Sequence, residues 1–151
     1  MKILSMKLEI APVPQGGGRP QVTRPDVKLL DCIGEEGVRK MVSDHYDILR
    51  KSEISDMFPR WDKEFEAAKL RSSDFFIQAL GGPDYFNQNQ GSPKLVSRHI
   101  KFTITPEARL VWLDAYREIL PKLDASEELI ISFWNYLNIF SIWMVNSESR
   151  F

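Results

Sequence analysis

The chain has a single cysteine, Cys32, in 151 residues. One thiol cannot close an intramolecular disulfide, and no second cysteine is available for a metal cluster, which points to a reducing compartment. Charge of one sign is also missing. Twenty Lys and Arg against 21 Asp and Glu leave a formal net charge of −1, so no basic field argues for nucleic acid or an anionic membrane surface. Long hydrophobic runs are scarce. The opening "MKILSMKLEI" has too short an apolar core for a signal peptide, and Glu9 interrupts it. The longest apolar run, "LIISFWNYLNIFSIWMV" from Leu129 to Val145, carries Asn135, Asn138 and two serines. It is short for a bilayer span and reads as a buried helix. A soluble, cytoplasmic protein with neither a nucleic-acid nor a membrane partner is expected.

What is present fits one domain with a real core: 43% hydrophobic and 27% charged residues, without internal repeats. Residues 11–25, "APVPQGGGRPQVTRP", concentrate proline and glycine without hydrophobic periodicity. They read as a linker or mobile arm, so that residues 1–25 form an N-terminal extension and 26–151 the domain. The domain reads as helical throughout. A short helix through "VKLLDCI" stops at Gly34, and Val38, Met41, Val42, His45, Tyr46 and Leu49 then mark one face of an amphipathic helix. "SEISDMF" reads as a helical turn closed by Pro59. A helix from Asp62 to Leu80 ends at Gly81-Gly82-Pro83, "DYFNQNQGSP" reads as a loop, and a short helix carries Lys94 to His99. Thr105-Pro106-Glu107 starts a helix running to Leu120, and Ser126-Glu127-Glu128 starts the last one. The class is all-α.

The Asp62–Leu80 helix turns Phe65, Ala68, Ser72, Phe75 or Phe76, and Ala79 inward. Small residues in the middle of an inner face mean either a close helix–helix approach or room for a ligand, because interiors are otherwise close-packed. The preceding helix presents His45 and Tyr46 in mid-face, and Trp112 adds an indole N–H. Buried polar tips of this kind need partners. Each residue also has a plain packing role open to it. A lone histidine such as His99 is more often a surface or satisfied core residue than a ligand, and Arg71 and Arg98 are ordinarily solvated charges.

Three stretches, taken in order, resemble the second group of truncated haemoglobins, the small two-over-two globins. They are "GEEGVRKMVSDHYDIL" (Gly34–Leu49), "LGGPDYFNQNQGSPKLVSRHIKFTIT" (Leu80–Thr105) and "EARLVWLDAY" (Glu107–Tyr116); the final "MVNS" is similar to the family's last-helix ending. The likeness spans residues 28–148 and leaves the N-terminal arm and Trp61 outside it. The resemblance implies a two-over-two helical sandwich around haem b, with His99 as proximal iron ligand and its other ring nitrogen donating to a carbonyl or water. Arg98 then matches the propionate-binding arginine, and Arg71 is a second candidate. Tyr46 and Trp112 match the distal donors to a bound diatomic ligand, with Ser72 as a third. Ala68 falls where many globins place a gating histidine, and Phe58 matches the aromatic that wedges the haem. Phe75, Phe76, the aromatic pair Tyr85-Phe86 and His45 complete the expected haem contacts.

The function so implied is binding of dioxygen, carbon monoxide and nitric oxide at a five-coordinate iron, in a monomer or homodimer. Oxygen transport, or nitric oxide or peroxide detoxification, would follow from the same site. Redox turnover would need a separate electron-donor reductase. The alternative is a globin-shaped sensor or interaction module acting through its N-terminal arm.

Overall fold

The computed structural model describes residues 8–148; the opening residues 1–7, read above as no signal peptide, and residues 149–151 lie outside it. Six α-helices follow in order: α1 (Lys28–Leu49), α2 (Asp62–Ala79), α3 (Tyr85–Gln90), α4 (Leu95–His99), α5 (Pro106–Ile119) and α6 (Glu127–Met144). Single 3₁₀ turns sit at Ser55–Met57 and Leu120–Lys122, and the described residues contain no strand. Helix α1 packs on α2 and α5, and α6 closes against α1 and α5. Their shared core holds Leu29, Met41, Ile77, Leu113, Phe133 and Leu137, all essentially inaccessible. Each such side chain contributes about 1.5–3 kcal/mol of burial.

The helix boundaries follow from local chemistry. Thr105 caps α5 by accepting from the Ala108 N–H at 3.1 Å, with Pro106 behind it, and Ser126 caps α6 by accepting from Leu129 N–H at 3.3 Å. Helix α2 ends in a Schellman arrangement: Gly82 N–H donates to Ile77 O at 2.9 Å and Gly81 N–H to Gln78 O at 3.0 Å. The two glycines serve different needs there. Gly81 has φ +86°, whereas a Cβ on Gly82 would lie 2.9 Å from the Ile77 carbonyl oxygen. The stop expected at Gly34 is present: its backbone is non-helical (φ 72°, ψ 172°), and two helical stretches meet there at a kink within α1.

One segment differs from the sequence reading. "DYFNQNQ" is helical as α3, because α2 supplies what its polar residues lack: Gln78 donates to the Asn87 side chain and accepts from the Asn87 N–H, both at 3.0 Å. Phe86 is buried beneath. Tertiary contact here overrides weak helix propensity.

The proline- and glycine-rich segment has no regular structure, as its composition predicts, yet it is tied along α5 and α6. The Glu9 carbonyl accepts from the Trp134 indole at 3.0 Å and from Asn138 at 2.9 Å, and Asn138 accepts from the Ala11 N–H at 3.0 Å. Pro20 O accepts from the Trp143 indole at 2.8 Å. Arg109, buried on α5, donates to Ala11 O, Ser141 Oγ and both oxygens of Asn138.

The glycine geometry yields a paired expectation for urea denaturation. Gly34→Ala should cost about 1–3 kcal/mol from backbone strain alone, since a Cβ there meets nothing within 4 Å. Gly82→Ala should cost more, because its Cβ meets the Ile77 backbone. Equal midpoints for both variants and the parent chain would contradict these turns.

Candidate functional site

Between α1, α2, α5 and α6 on one side and α4 on the other lies a cavity of about 840 Å³, within the range of small-molecule and cofactor sites. His99, Tyr46, Trp112, Ala68, Ser72, Phe58, Arg71, Phe75, Phe76, Phe86, Arg98 and His45 all border it. The likeness in sequence thus corresponds to one place in the fold. Of the aromatic pair, Phe86 faces the cavity, while Tyr85 stands outside it beside Glu35 and Arg39. Ala68 and Ser72 border open space here, so their small side chains mark room.

The wall carrying His99 is built from backbone ties. A five-residue helix does not persist unaided, and α4 is entered through Gly91 (φ 79°) and Lys94 (φ 38°, ψ 54°) in left-handed conformations. Arg98 braces that entry, donating to Pro93 O at 2.6 Å, Gln90 O at 2.7 Å and Ser92 O at 3.0 Å. Asn146 fastens the exit. Its side chain donates to Phe102 O at 2.8 Å and accepts from Ile104 N–H at 2.9 Å. His99 Nδ1 lies 2.7 Å from Leu95 O. A carbonyl only accepts, so Nδ1 carries a proton, and in the neutral ring Nε2 is the nitrogen with the lone pair. Among the described residues no protein donor meets that nitrogen.

The opposite wall carries Tyr46 on α1 and Trp112 on α5. Burial pushes the Tyr46 hydroxyl above the usual phenol range, while the Ser72 hydroxyl and the Arg71 charge pull it back. It is therefore a neutral O–H donor at physiological pH. Its ring meets Phe58 edge-on at 5.3 Å. The Trp112 indole N–H has no acceptor among the described residues, and its ring is enclosed by His45, Tyr116 and Phe140 at 5.1, 5.0 and 5.8 Å.

His45 is fully buried, and its Nε2 lies 2.9 Å from the Trp112 carbonyl. By the same reasoning Nε2 is the donor. The ring stacks on Tyr116 at 3.6 Å and stands 6.3 Å, edge-on, from Tyr46. Burial lowers its pKa from 6.5 to about 3, with the bond to Trp112 opposing. The residue is neutral at physiological pH and supplies no proton to Tyr46 there.

Sequence reasoning missed Arg109, Tyr116 and Ser141, which also border the cavity. Burial lowers the Arg109 guanidinium from 12.5 to about 10, so it stays charged at neutral pH. Nothing in local sequence distinguished it from a solvated arginine. The polar residues Asn138 and Ser141 within a largely apolar helix were the usable signal.

The lowered His45 value has a consequence for stability. Its folded pKa lies below its unfolded pKa, so the unfolded chain binds more protons between about pH 6.5 and 3. The associated stability is present above pH 6.5 and is lost as pH falls through that window, at up to about 1.4 kcal/mol per pH unit. Chemical denaturation of the parent chain and His45→Phe at pH 7, 6 and 5 should therefore show the parent losing stability faster. Parallel losses would contradict a buried neutral imidazole.

Residues 28–146 match the family model described as "Bacterial-like globin". The chain is 25% identical to the group 2 truncated hemoglobin YjbI of Bacillus subtilis (strain 168) over 116 residues, which is 77% of this chain and 86% of that protein. Among solved structures, phosphate-bound Hell's gate globin IV superposes with a TM-score of 0.82 at 35% identity, covering 86% of this chain and 81% of that one. The oxygen-avid truncated haemoglobin of Bacillus subtilis gives a TM-score of 0.71 at 25% identity, covering 78% and 98%. Family match, fold and cavity agree: this chain belongs to the bacterial-like globins and is a two-over-two truncated haemoglobin of the second group.

Proposed function

We propose that the chain binds haem b in the cavity and uses it to hold dioxygen and other diatomic ligands, including carbon monoxide and nitric oxide. The observation that carries this is the 2.7 Å contact of His99 Nδ1 with the Leu95 carbonyl on the cavity wall, which in the neutral ring leaves the Nε2 lone pair free. The residues present fit the group. Phe58, Phe75, Phe76 and Phe86 supply apolar walls for a flat macrocycle, and the charged side chains bordering the cavity are Arg71, Arg98, Lys101 and Arg109 against Asp56. That balance suits a cofactor with two carboxylates. Arg98 is already spent on three carbonyls, and Arg71 has no ion-pair partner among the described residues, so Arg71 is the freer propionate partner.

Haem supplies the iron at which a diatomic ligand binds and to which electrons are added or removed. His99 would hold that iron from one side, with the Leu95 carbonyl raising the basicity of its imidazole. Tyr46 and Trp112 would donate to the ligand from the other side, with Ser72 as a further donor, and Ala68 leaves the side approach open. Each donor to a partly charged ligand in a water-poor site contributes about 1–3 kcal/mol, which favours slow release over bulk delivery. Turnover of nitric oxide or peroxide at the same site needs electrons from a separate donor protein.

A second reading, signalling through the N-terminal arm, draws on Arg109, which borders the cavity and also binds Ala11 O at 2.7 Å. Deleting residues 1–25 should change ligand kinetics or self-association if the arm signals. Unchanged values would remove that reading.

Absorption spectra of the haem-loaded chain in ferric, dithionite-reduced and carbon monoxide-bound forms test the main proposal. A strong Soret band that shifts with carbon monoxide is expected, and it should be lost or altered in His99→Ala. Tyr46→Phe and Trp112→Phe should each speed dioxygen release by about tenfold, the equivalent of ~1.4 kcal/mol. Haem binding that is identical without His99 would overturn the assignment.

A further inference from the structure

We propose that His45 is a positioning residue that sets where the Trp112 indole N–H points relative to the Tyr46 hydroxyl, and so tunes ligand retention without touching the ligand. The inference rests on the distal-donor reading above and adds to it the residue that couples the two donors. His45 is the chain neighbour of Tyr46 on α1, while its hydrogen bond and two of its ring contacts fall on α5. Its Nε2–H donates to the Trp112 carbonyl at 2.9 Å. Its ring stands at 88° to the Trp112 indole, with centroids 5.1 Å apart. The same ring stacks on Tyr116, one turn further along α5, at 3.6 Å and 23°.

One side chain therefore fixes both the backbone and the ring of Trp112 from a position covalently next to Tyr46. Tyr116 and Phe140 wall the indole on other sides, at 67° and 86°. Among these rings His45 is the one that comes from α1, so it ties the indole to the helix bearing the other donor. A direct exchange with Tyr46 is not the route, because those two rings lie 6.3 Å apart at 67°. The strength of a donor falls steeply with misalignment, so a small rotation of the indole is enough to alter ligand release.

The test uses the full-length, haem-loaded, ferrous chain with carbon monoxide as the probe. The Fe–CO and C–O stretching frequencies, together with the carbon monoxide release rate, are recorded for the parent, His45→Phe, Trp112→Phe and the double variant. His45→Gln serves as a second route: it keeps a side-chain N–H but loses the ring, and it guards against a poorly folded phenylalanine variant. Thermal melts are taken in parallel.

His45→Phe is expected to move both frequencies part of the way toward those of Trp112→Phe and to speed release severalfold. The double variant should match Trp112→Phe alone, because a residue that acts through Trp112 has nothing left to position. His45→Gln should shift the frequencies in the same direction. If Trp112→Phe shifts the frequencies while both His45 variants leave them at parent values, the positioning role is refuted and the distal-donor reading stands. Additive shifts in the double variant overturn it as well, since His45 would then act independently of Trp112. If Trp112→Phe itself leaves the frequencies unchanged, the distal-donor reading fails and this proposal falls with it.

Discussion

The bond between His99 Nδ1 and the Leu95 carbonyl, 2.7 Å long, is the contact on which the rest of the site depends. It fixes the tautomer and the ring plane together, and it can form only if Leu95 and His99 share a helical turn. A helix as short as α4 has no stability of its own to hold that turn. The chain supplies it from outside: Arg98 gathers the carbonyls of Gln90, Ser92 and Pro93 ahead of the helix, and Asn146 clasps Phe102 and Ile104 behind it. The Asn146 N–H also donates to Ile104 O at 2.9 Å, so the end of α6 and the segment after His99 are bonded in both directions. Position in this wall is thus carried by hydrogen bonds to backbone, and apolar packing plays the smaller part.

The opposite wall is made differently. Tyr46 and Trp112 lie on long helices that are anchored in the main core, where side chains such as Val42 and Leu113 are fully buried. There the need is orientation of two donors on separate helices, and rings meet it: His45 stacked on Tyr116, with Trp112 enclosed between them and Phe140. Arg109 adds a buried guanidinium one turn before Trp112, satisfied by Ser141, Asn138 and Ala11 with no carboxylate among those partners. A buried cation held by neutral acceptors keeps more of its field than one paired with an acid, and that field reaches the cavity wall.

Much of this was legible from the chain alone, for identifiable reasons. The helices α1, α2, α5 and α6 announce themselves through periodicity and through caps that act within four residues, such as Thr105 and Ser126. His99, Tyr46 and Trp112 were singled out because their order and setting resemble a known pattern; their residue types alone favoured packing. Helix α3 was unreadable because its stabilising partner, Gln78, lies on another element. The course of residues 8–25 was unreadable for the same reason, since Trp134, Asn138 and Trp143 bond to it from α6, more than a hundred residues away. The "MVNS" ending entered only as a likeness, and the bonding of Asn146 to Phe102 and Ile104 needed coordinates.

His45 shows where sequence reasoning reached its limit in a more instructive way. A histidine beside a distal tyrosine could supply a proton, bond the tyrosine or pack, and the three alternatives look identical in one dimension. Geometry separates them. Among the described residues the one acceptor its Nε2 reaches is a backbone carbonyl, its ring lies flat on Tyr116, and complete burial holds it neutral. A phenylalanine would pack on Tyr116 equally well, and a glutamine could offer the N–H, but imidazole does both in one rigid ring. Neutrality is what allows this: a charged imidazole in that dry position would be driven toward solvent and would pull α1 away from α5. The same burial that removes His45 from proton chemistry therefore makes it usable as a fixed spacer between Tyr46 and Trp112.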